Sequence, residues 1–271
     1  MNPIDARFRN LRAAGRKAFI PFLPAGDPDL AATRVLLPEL ARAGADLIEV
    51  GFPFSDPIAD GPVIQAAYTR ALDRGLRVEE IFTAVAEARR APELAAVPMV
   101  GMVSYSLVHR RGPAAFLERA VAAGLSGAVV PDLPAEEAEP FARLAAERDF
   151  KLILLVTPTT PPERATRIVR LASGFVYCVS VTGITGERDR LPDELLGQLR
   201  WLRGQTDLPL CVGFGVSRPE HVRMLREAAD GVIVGTAIVR KLERAGAVPL
   251  EVIAGEVREL VVGLVAALNP G

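Results

Sequence analysis

The sequence predicts a single (β/α)8 barrel of the TIM type with an extra N-terminal helix, and three observations predict it. Short, nearly continuous apolar runs recur eight times, the pattern of strands covered on both faces. Between them lie stretches whose apolar residues follow the helical period. The repeat averages about 34 residues, so eight units occupy a chain of 271 residues, which has no linker or low-complexity tract to divide it. Residues 1–271 therefore read as one domain. A doubly wound open sheet is the competing architecture, but no Gly-x-Gly-x-x-Gly opens the first crossover, and eight regular units close more naturally than they stay open.

Ile4, Phe8 and Leu11 stand at i, i+4 and i+7, the spacing of an amphipathic helix, and Gly15 is a natural stop. Residues 1–15 are expected to close the bottom of the barrel. The first strand, 18–23, runs into Pro24-Ala25-Gly26-Asp27-Pro28, and a helix over 30–43 ends at Gly44. Further strands are expected at 47–51, 97–103, 127–131, 151–157, 175–180, 209–213 and 231–235. The intervening helices fall at 63–73 with 78–90, then 113–123, 135–148, 162–171, 193–203 and 218–228, and finally 237–245 with 250–268.

A formal charge of −1 with interspersed acids and bases leaves no basic stripe, which argues against nucleic acid or an anionic membrane as the main partner. Residues 1–19 lack a signal-peptide core, and the apolar run 260–268 is too short to span a bilayer, so a cytoplasmic location is expected. Cys178 and Cys211 sit singly inside apolar runs, as buried free thiols do.

In barrels of this class the working face lies at the C-terminal ends of the strands. Within 47–51 a period of two puts Leu47, Glu49 and Gly51 on one face, so Glu49 is a carboxylate where an apolar residue is expected. A buried acid of this kind either finds partners or keeps its proton through a raised pKa. That stretch alone leaves open whether Glu49 is structural or working. Gly213-Phe214-Gly215-Val216-Ser217 follows the seventh strand, with Ser217 a candidate N-cap, and Gly235-Thr236 follows the eighth. Glycine turns opening onto helices at the last two strands make a phosphate site. The Gly-rich segment 182–190 after the sixth strand has the composition of a lid.

The three lysines, Lys17, Lys151 and Lys241, all fall away from the strand ends that face the cavity, which disfavours a Schiff-base mechanism. His109 and His221 are isolated surface or loop residues in this reading, so no zinc cluster is expected. What remains is carboxylate acid–base chemistry on a phosphorylated small molecule, with Glu49 and Asp60 the best-placed groups. Asp56 and Asp132 sit on the same rim and read as structural or interface acids.

The motifs Ala25-Gly26-Asp27-Pro28, Pro53-Phe54-Ser55-Asp56-Pro57-Ile58-Ala59-Asp60-Gly61-Pro62, Pro131-Asp132-Leu133-Pro134, Val181-Thr182-Gly183-Ile184-Thr185-Gly186 and Val212-Gly213-Phe214-Gly215 run the length of the chain. In these the sequence closely resembles the α subunit family of tryptophan synthase. The resemblance implies cofactor-free retro-aldol cleavage of indole-3-glycerol phosphate to indole and glyceraldehyde 3-phosphate. It implies that Glu49 protonates the indole ring and then takes the glycerol hydroxyl proton, while Asp60 holds the indole N–H. Gly186, Gly215, Gly235 and Thr236 would meet the phosphate, Phe22, Tyr177 and Phe214 would line the pocket, and Thr185 would close over Asp60.

The resemblance further implies a pyridoxal-phosphate β subunit as partner, in a heterotetramer of two α and two β subunits. That partner would dock on the loops carrying Pro53, Asp56, Pro57, Asp132 and Pro134. The chain departs from the family at Ser104 and Ser106, where a Tyr and an Asn are usual. Two other readings stay open: a mainly regulatory subunit that needs its partner, and a phosphate-binding barrel isomerase.

Overall fold

The computed structural model describes residues 1–57, 60–180, 193–213, 215–216 and 218–270. Its strands are β1 (Ala18–Pro24), β2 (Ile48–Gly51), β3 (Met99–Met102), β4 (Leu125–Val129), β5 (Lys151–Ile153), β6 (Leu155–Val156), β7 (Val176–Val179), β8 (Leu210–Gly213) and β9 (Gly231–Val234). They form one parallel sheet in the order β5-β4-β3-β2-β1-β9-β8-β7-β6. The two edges of that order, β5 and β6, are consecutive pieces of chain with only Leu154 between them. The Leu154 carbonyl still accepts from Tyr177 N at 3.1 Å. The predicted fifth strand is thus split in two, and the sheet curls round into a barrel, with the predicted sixth to eighth strands as β7 to β9.

The helices are α1 (Pro3–Ala13), α2 (Leu30–Arg42), α3 (Pro62–Asp73), α4 (Val78–Ala88), α5 (Tyr105–Arg111), α6 (Pro113–Ala122), α7 (Ala138–Ala146), α8 (Pro162–Leu171), α9 (Asp193–Arg203), α10 (Pro219–Leu225), α11 (Thr236–Leu242) and α12 (Leu250–Leu268). Among the described residues no helix is long and apolar enough to cross a membrane.

The period of two sorts the strand side chains into two shells. Ile48 and Val50 point outward into the layer between barrel and helices, packing with residues such as Leu36, Leu40, Phe82 and Phe116. Leu47, Ile20, Val100, Val129, Ile153 and Ile233 fill the interior. Each such buried side chain contributes about 1.5–3 kcal/mol. Helix α1 closes the N-terminal end. Asn2 caps it by accepting from Ile4 N at 2.9 Å and donates to Ser126 O, at β4, at 3.0 Å. Ile4, Phe8 and Leu11 join the interior cluster, and the Phe8 ring stands 5.8 Å from that of Phe175.

The structure corrects several expectations. Helix α5 and a short 3-10 turn at Pro92–Leu94 are absent from the sequence reading. Helix α7 is shorter than 135–148 because residues 134–137 form a turn, with Glu137 N bonded to Pro134 O at 3.0 Å. Helix α10 has Arg218 in its cap position with no side-chain cap bond, and Ser217, the predicted cap, lies outside the described residues. His221 is buried, not a surface or loop residue: α10 turns its His221, Val222 and Leu225 face into the body.

Candidate active site

β2 is covered on both sides by parallel neighbours, and Glu49 is in register with Phe22 of β1 and Val100 of β3. Both neighbours belong to the barrel interior, so the carboxyl of Glu49 does too. It is fully buried, and among the described residues neither of its oxygens has a hydrogen-bond partner. Burial, reinforced by the negative charge of Asp60, pushes its pKa up to about 8.

Asp60 ends the loop between β2 and α3, two residues before the helix begins. The loop is drawn back on itself there: Asp60 N donates to Pro57 O at 3.1 Å, and Gln65 Nε2 donates to Asp60 O at 2.7 Å. Gly61 and Pro62 then start α3, proline supplying a first-turn residue that needs no amide partner. Partial burial moves the Asp60 pKa up to about 6.

Glycines at three strand ends make room for the aromatic walls. A Cβ on Gly51 would lie 2.5 Å from the Phe22 ring and 2.7 Å from the Tyr68 hydroxyl. On Gly213 it would overlap the Tyr177 hydroxyl, and on Gly235 it would stand 3.1 Å from Phe22. Phe22, Tyr68 and Tyr177 therefore occupy space that side chains at those glycines would fill.

Two chambers meet at Asp60 and Met102. The smaller, about 40 Å³, is lined by Phe22, Tyr177, Gly215, Gly235 and Thr236 as well. It brings the two predicted phosphate turns beside the predicted ring pocket; Gly215 adopts a φ of 82°, which its lack of a side chain permits. The larger, about 300 Å³, is mostly apolar and includes Phe52, Tyr68 and Val103, with Ser104, Ser106, Asp56 and Asp132 toward its polar side. Thr185, Gly186, Phe214 and the segment 182–190 lie outside the described residues.

The other rim acids are engaged locally. Asp132 accepts from Ser104 Oγ at 2.6 Å and Tyr105 N at 2.7 Å, fixing the start of α5. Asp56 accepts from Ser55 Oγ at 2.6 Å. Asp27 is held by Arg70. Lys151 pairs with Asp5 of α1 at 2.6 Å, at the opposite end of the barrel, and Lys241 with Glu256 at 3.2 Å. Among the described residues no lysine lines either chamber, and no group of three His, Cys, Asp or Glu is placed to hold a metal ion. Cys178 and Cys211 are buried and free. Tyr68 was not readable as a site residue; its spacing from Ile64 and Ala71 on α3 marks it only as part of a core stripe.

A barrel that sets a fully buried carboxyl close to a second acid at its mouth, beside glycine turns suited to phosphate, belongs to the acid–base enzymes of phosphorylated small molecules. A family model described as "Tryptophan synthase alpha chain" matches residues 8–262. The tryptophan synthase alpha chain of Rhodopirellula baltica is 50% identical over 245 residues, 90% of this chain and 88% of that protein. The solved alpha subunit from Legionella pneumophila superposes with a TM-score of 0.88 at 35% identity, covering 99% of this chain and 98% of that one. A chain of an aminoacrylate-bound tryptophan synthase from M. tuberculosis superposes with a TM-score of 0.86 at 32% identity, covering 99% and 100%. The chain belongs to the tryptophan synthase alpha chain family, and its reaction is the cleavage of indole-3-glycerol phosphate in tryptophan biosynthesis.

Proposed function

We propose that Glu49 is the general acid and base of this cleavage and that Asp60 is the acceptor for the indole N–H. One observation carries the assignment: the Glu49 carboxyl is fully buried with no hydrogen-bond partner among the described residues, close to Asp60 at the junction of the two chambers, and burial pushes the two groups apart, to about 8 and about 6. At neutral pH Glu49 keeps its proton while Asp60 has lost its own, which gives each the state its task needs.

Glu49 delivers its proton to C3 of the indole. The ring nitrogen becomes cationic, and the Asp60 carboxylate, accepting its N–H, offsets that charge. Glu49, now a carboxylate, takes the proton of the hydroxyl on the glycerol carbon bonded to the ring. The carbon–carbon bond breaks, its electrons return to the indole, and the carbon that bore the hydroxyl becomes the aldehyde of glyceraldehyde 3-phosphate. Glu49 ends protonated, ready for another turnover. The indolium ring is the electron sink, the part a lysine imine plays in other aldol cleavages.

Gly215, Gly235 and Thr236 receive the phosphate, and Phe22 and Tyr177 flank the ring, which fits their convergence on the smaller chamber. Gly186, Phe214 and Thr185 keep the roles that the family resemblance assigns them. The chain works as one domain in the cytoplasm, needs no cofactor of its own, and pairs with a β subunit that carries pyridoxal phosphate. The docking face runs over Pro53, Asp56, Pro57, Asp132 and Pro134. The bond from Ser104 to Asp132 ties the wall of the larger chamber to that face and favours activity that rises with the partner.

Indole release by the isolated chain, then with a β subunit, tests the scheme. Glu49→Gln should lower kcat by at least about a thousandfold with substrate affinity retained, and Asp60→Asn nearly as much. Turnover within tenfold of wild type in Glu49→Gln would overturn the assignment.

A further inference from the structure

Tyr68 lies on the inward face of α3 with Ile64, Ala67 and Ala71 and is almost wholly buried. Its hydroxyl stands over the end of β2, 2.7 Å from where a Gly51 side chain would begin. Gly51 is two residues beyond Glu49, so by the strand's period both present the same face. The residue also lines the larger chamber beside Asp60. The phenol thus sits in the field of both acids. Burial, then Asp60, then Glu49 hold its pKa well above the ordinary value, so it is a permanent hydrogen-bond donor at any working pH.

We propose that Tyr68 is a positioning residue that donates its hydroxyl hydrogen to the Asp60 carboxylate in the substrate complex, keeping Asp60 ionised and aimed at the indole N–H. The inference rests on the assignment of Asp60 as acceptor. Asp60 needs such a donor: its partial burial opposes ionisation, and among the described residues no Lys, Arg or His lines either chamber. The groups facing this region are few. Glu49 comes from β2 and acts on Tyr68, and Tyr177 comes from β7, close enough to feel Glu49, Asp60 and Tyr68. Asp56 and Asp132 line the same chamber and add negative charge. Arg70, on the same helix as Tyr68, is occupied by Asp27 and also feels Glu243 beyond α11. Gln65 of α3 spends its amide on the Asp60 backbone carbonyl, so among the described residues Tyr68 is the α3 donor that lines the larger chamber with Asp60.

The test is the pH dependence of kcat/KM for the chain in complex with a β subunit, in wild type, Tyr68→Phe and Asp60→Asn. Tyr68→Phe removes one oxygen and keeps the ring, so the packing of α3 survives; thermal unfolding of each variant checks that. The acid limb, set by Asp60, should move up by about one pH unit in Tyr68→Phe. kcat/KM should then fall about tenfold on the acid side and less than about threefold near the optimum, with the alkaline limb in place. A merely structural tyrosine would lower the rate equally at every pH, and that result, or movement of the alkaline limb alone, would overturn the proposal. Asp60→Asn separates the two ideas. If its acid limb persists where the wild-type limb lies, the assignment of Asp60 itself has failed; if the limb vanishes while Tyr68→Phe leaves it unmoved, only the role of Tyr68 has failed.

Discussion

Arg70 grips Asp27 through two hydrogen bonds of 2.9 and 2.8 Å, and Asp27 is shut off from solvent. The pair joins α3, which carries Tyr68 and follows Asp60 by two residues, to the turn after β1, which carries Phe22. Charge and fork geometry together make this a two-point anchor rather than a loose contact.

Truncating one partner of such a pair leaves a buried charge uncompensated. Arg70→Ala should therefore destabilise the chain by about 3 kcal/mol in urea unfolding. kcat should fall with it, because the helix that orients Asp60 and Tyr68 loses its tie. A loss below about 0.5 kcal/mol, the size expected of a surface ion pair, would show that the fork does not anchor α3.

Gly51 offers a cleaner probe of site geometry. Its missing side chain is the space that the Phe22 ring and the Tyr68 hydroxyl occupy, at 2.5 and 2.7 Å from the position a Cβ would take. Gly51→Ala must push both side chains aside in a close-packed interior, at a stability cost of about 1–3 kcal/mol. Misplacing groups around a reacting pair costs on the order of a hundredfold in kcat/KM. Steady-state assay and denaturation of the same preparation separate the two effects, and unchanged kcat/KM would refute the close packing of this wall.

Glu49 also carries a pH signature in stability. Its folded-state pKa is raised from 4.5 to about 8, so its contribution is fully present below 4.5 and is lost as pH rises through 8. By pH 7 the wild type should have lost about 3 kcal/mol relative to its stability near pH 4.5, on account of this group alone. Glu49→Gln has no such group. The stability difference between variant and wild type should therefore widen in favour of the variant from pH 4.5 to 8 and level off above. A difference that stays constant over that window would mean that Glu49 titrates normally in the folded chain.

Much of this was legible in the sequence because the fold repeats one physical pattern. Eight apolar runs alternating with helical periods announce the barrel, and Glu49 stood out as the one carboxylate inside such a run. Gly215 and Gly235 were readable because their turns open onto helices at the last strands. What escaped depends on contacts between distant segments. Helix α5 has only seven residues and owes its start to Asp132, twenty-eight residues after Ser104, so no local period reveals it. The break at Leu154 between β5 and β6 follows from different neighbours on either side, β4 and β7. Tyr68 looked like core because its helix face is core; only the approach to Gly51 shows its hydroxyl over the acids. Asp60 was already ranked above Asp56, four positions before it, from the sequence; the structure adds that Asp60 stands at the junction of both chambers while Asp56 lines the larger one.

The central claim is that Glu49 holds a proton at neutral pH while Asp60 does not, and infrared difference spectroscopy of the carboxyl groups tests it most directly. The wild-type chain should show a protonated-carboxyl band at pH 7 that titrates away near pH 8 and is missing from Glu49→Gln. A wild-type chain with no such band at pH 7, its carboxyls all titrating in the ordinary range near 4.5, would contradict the account.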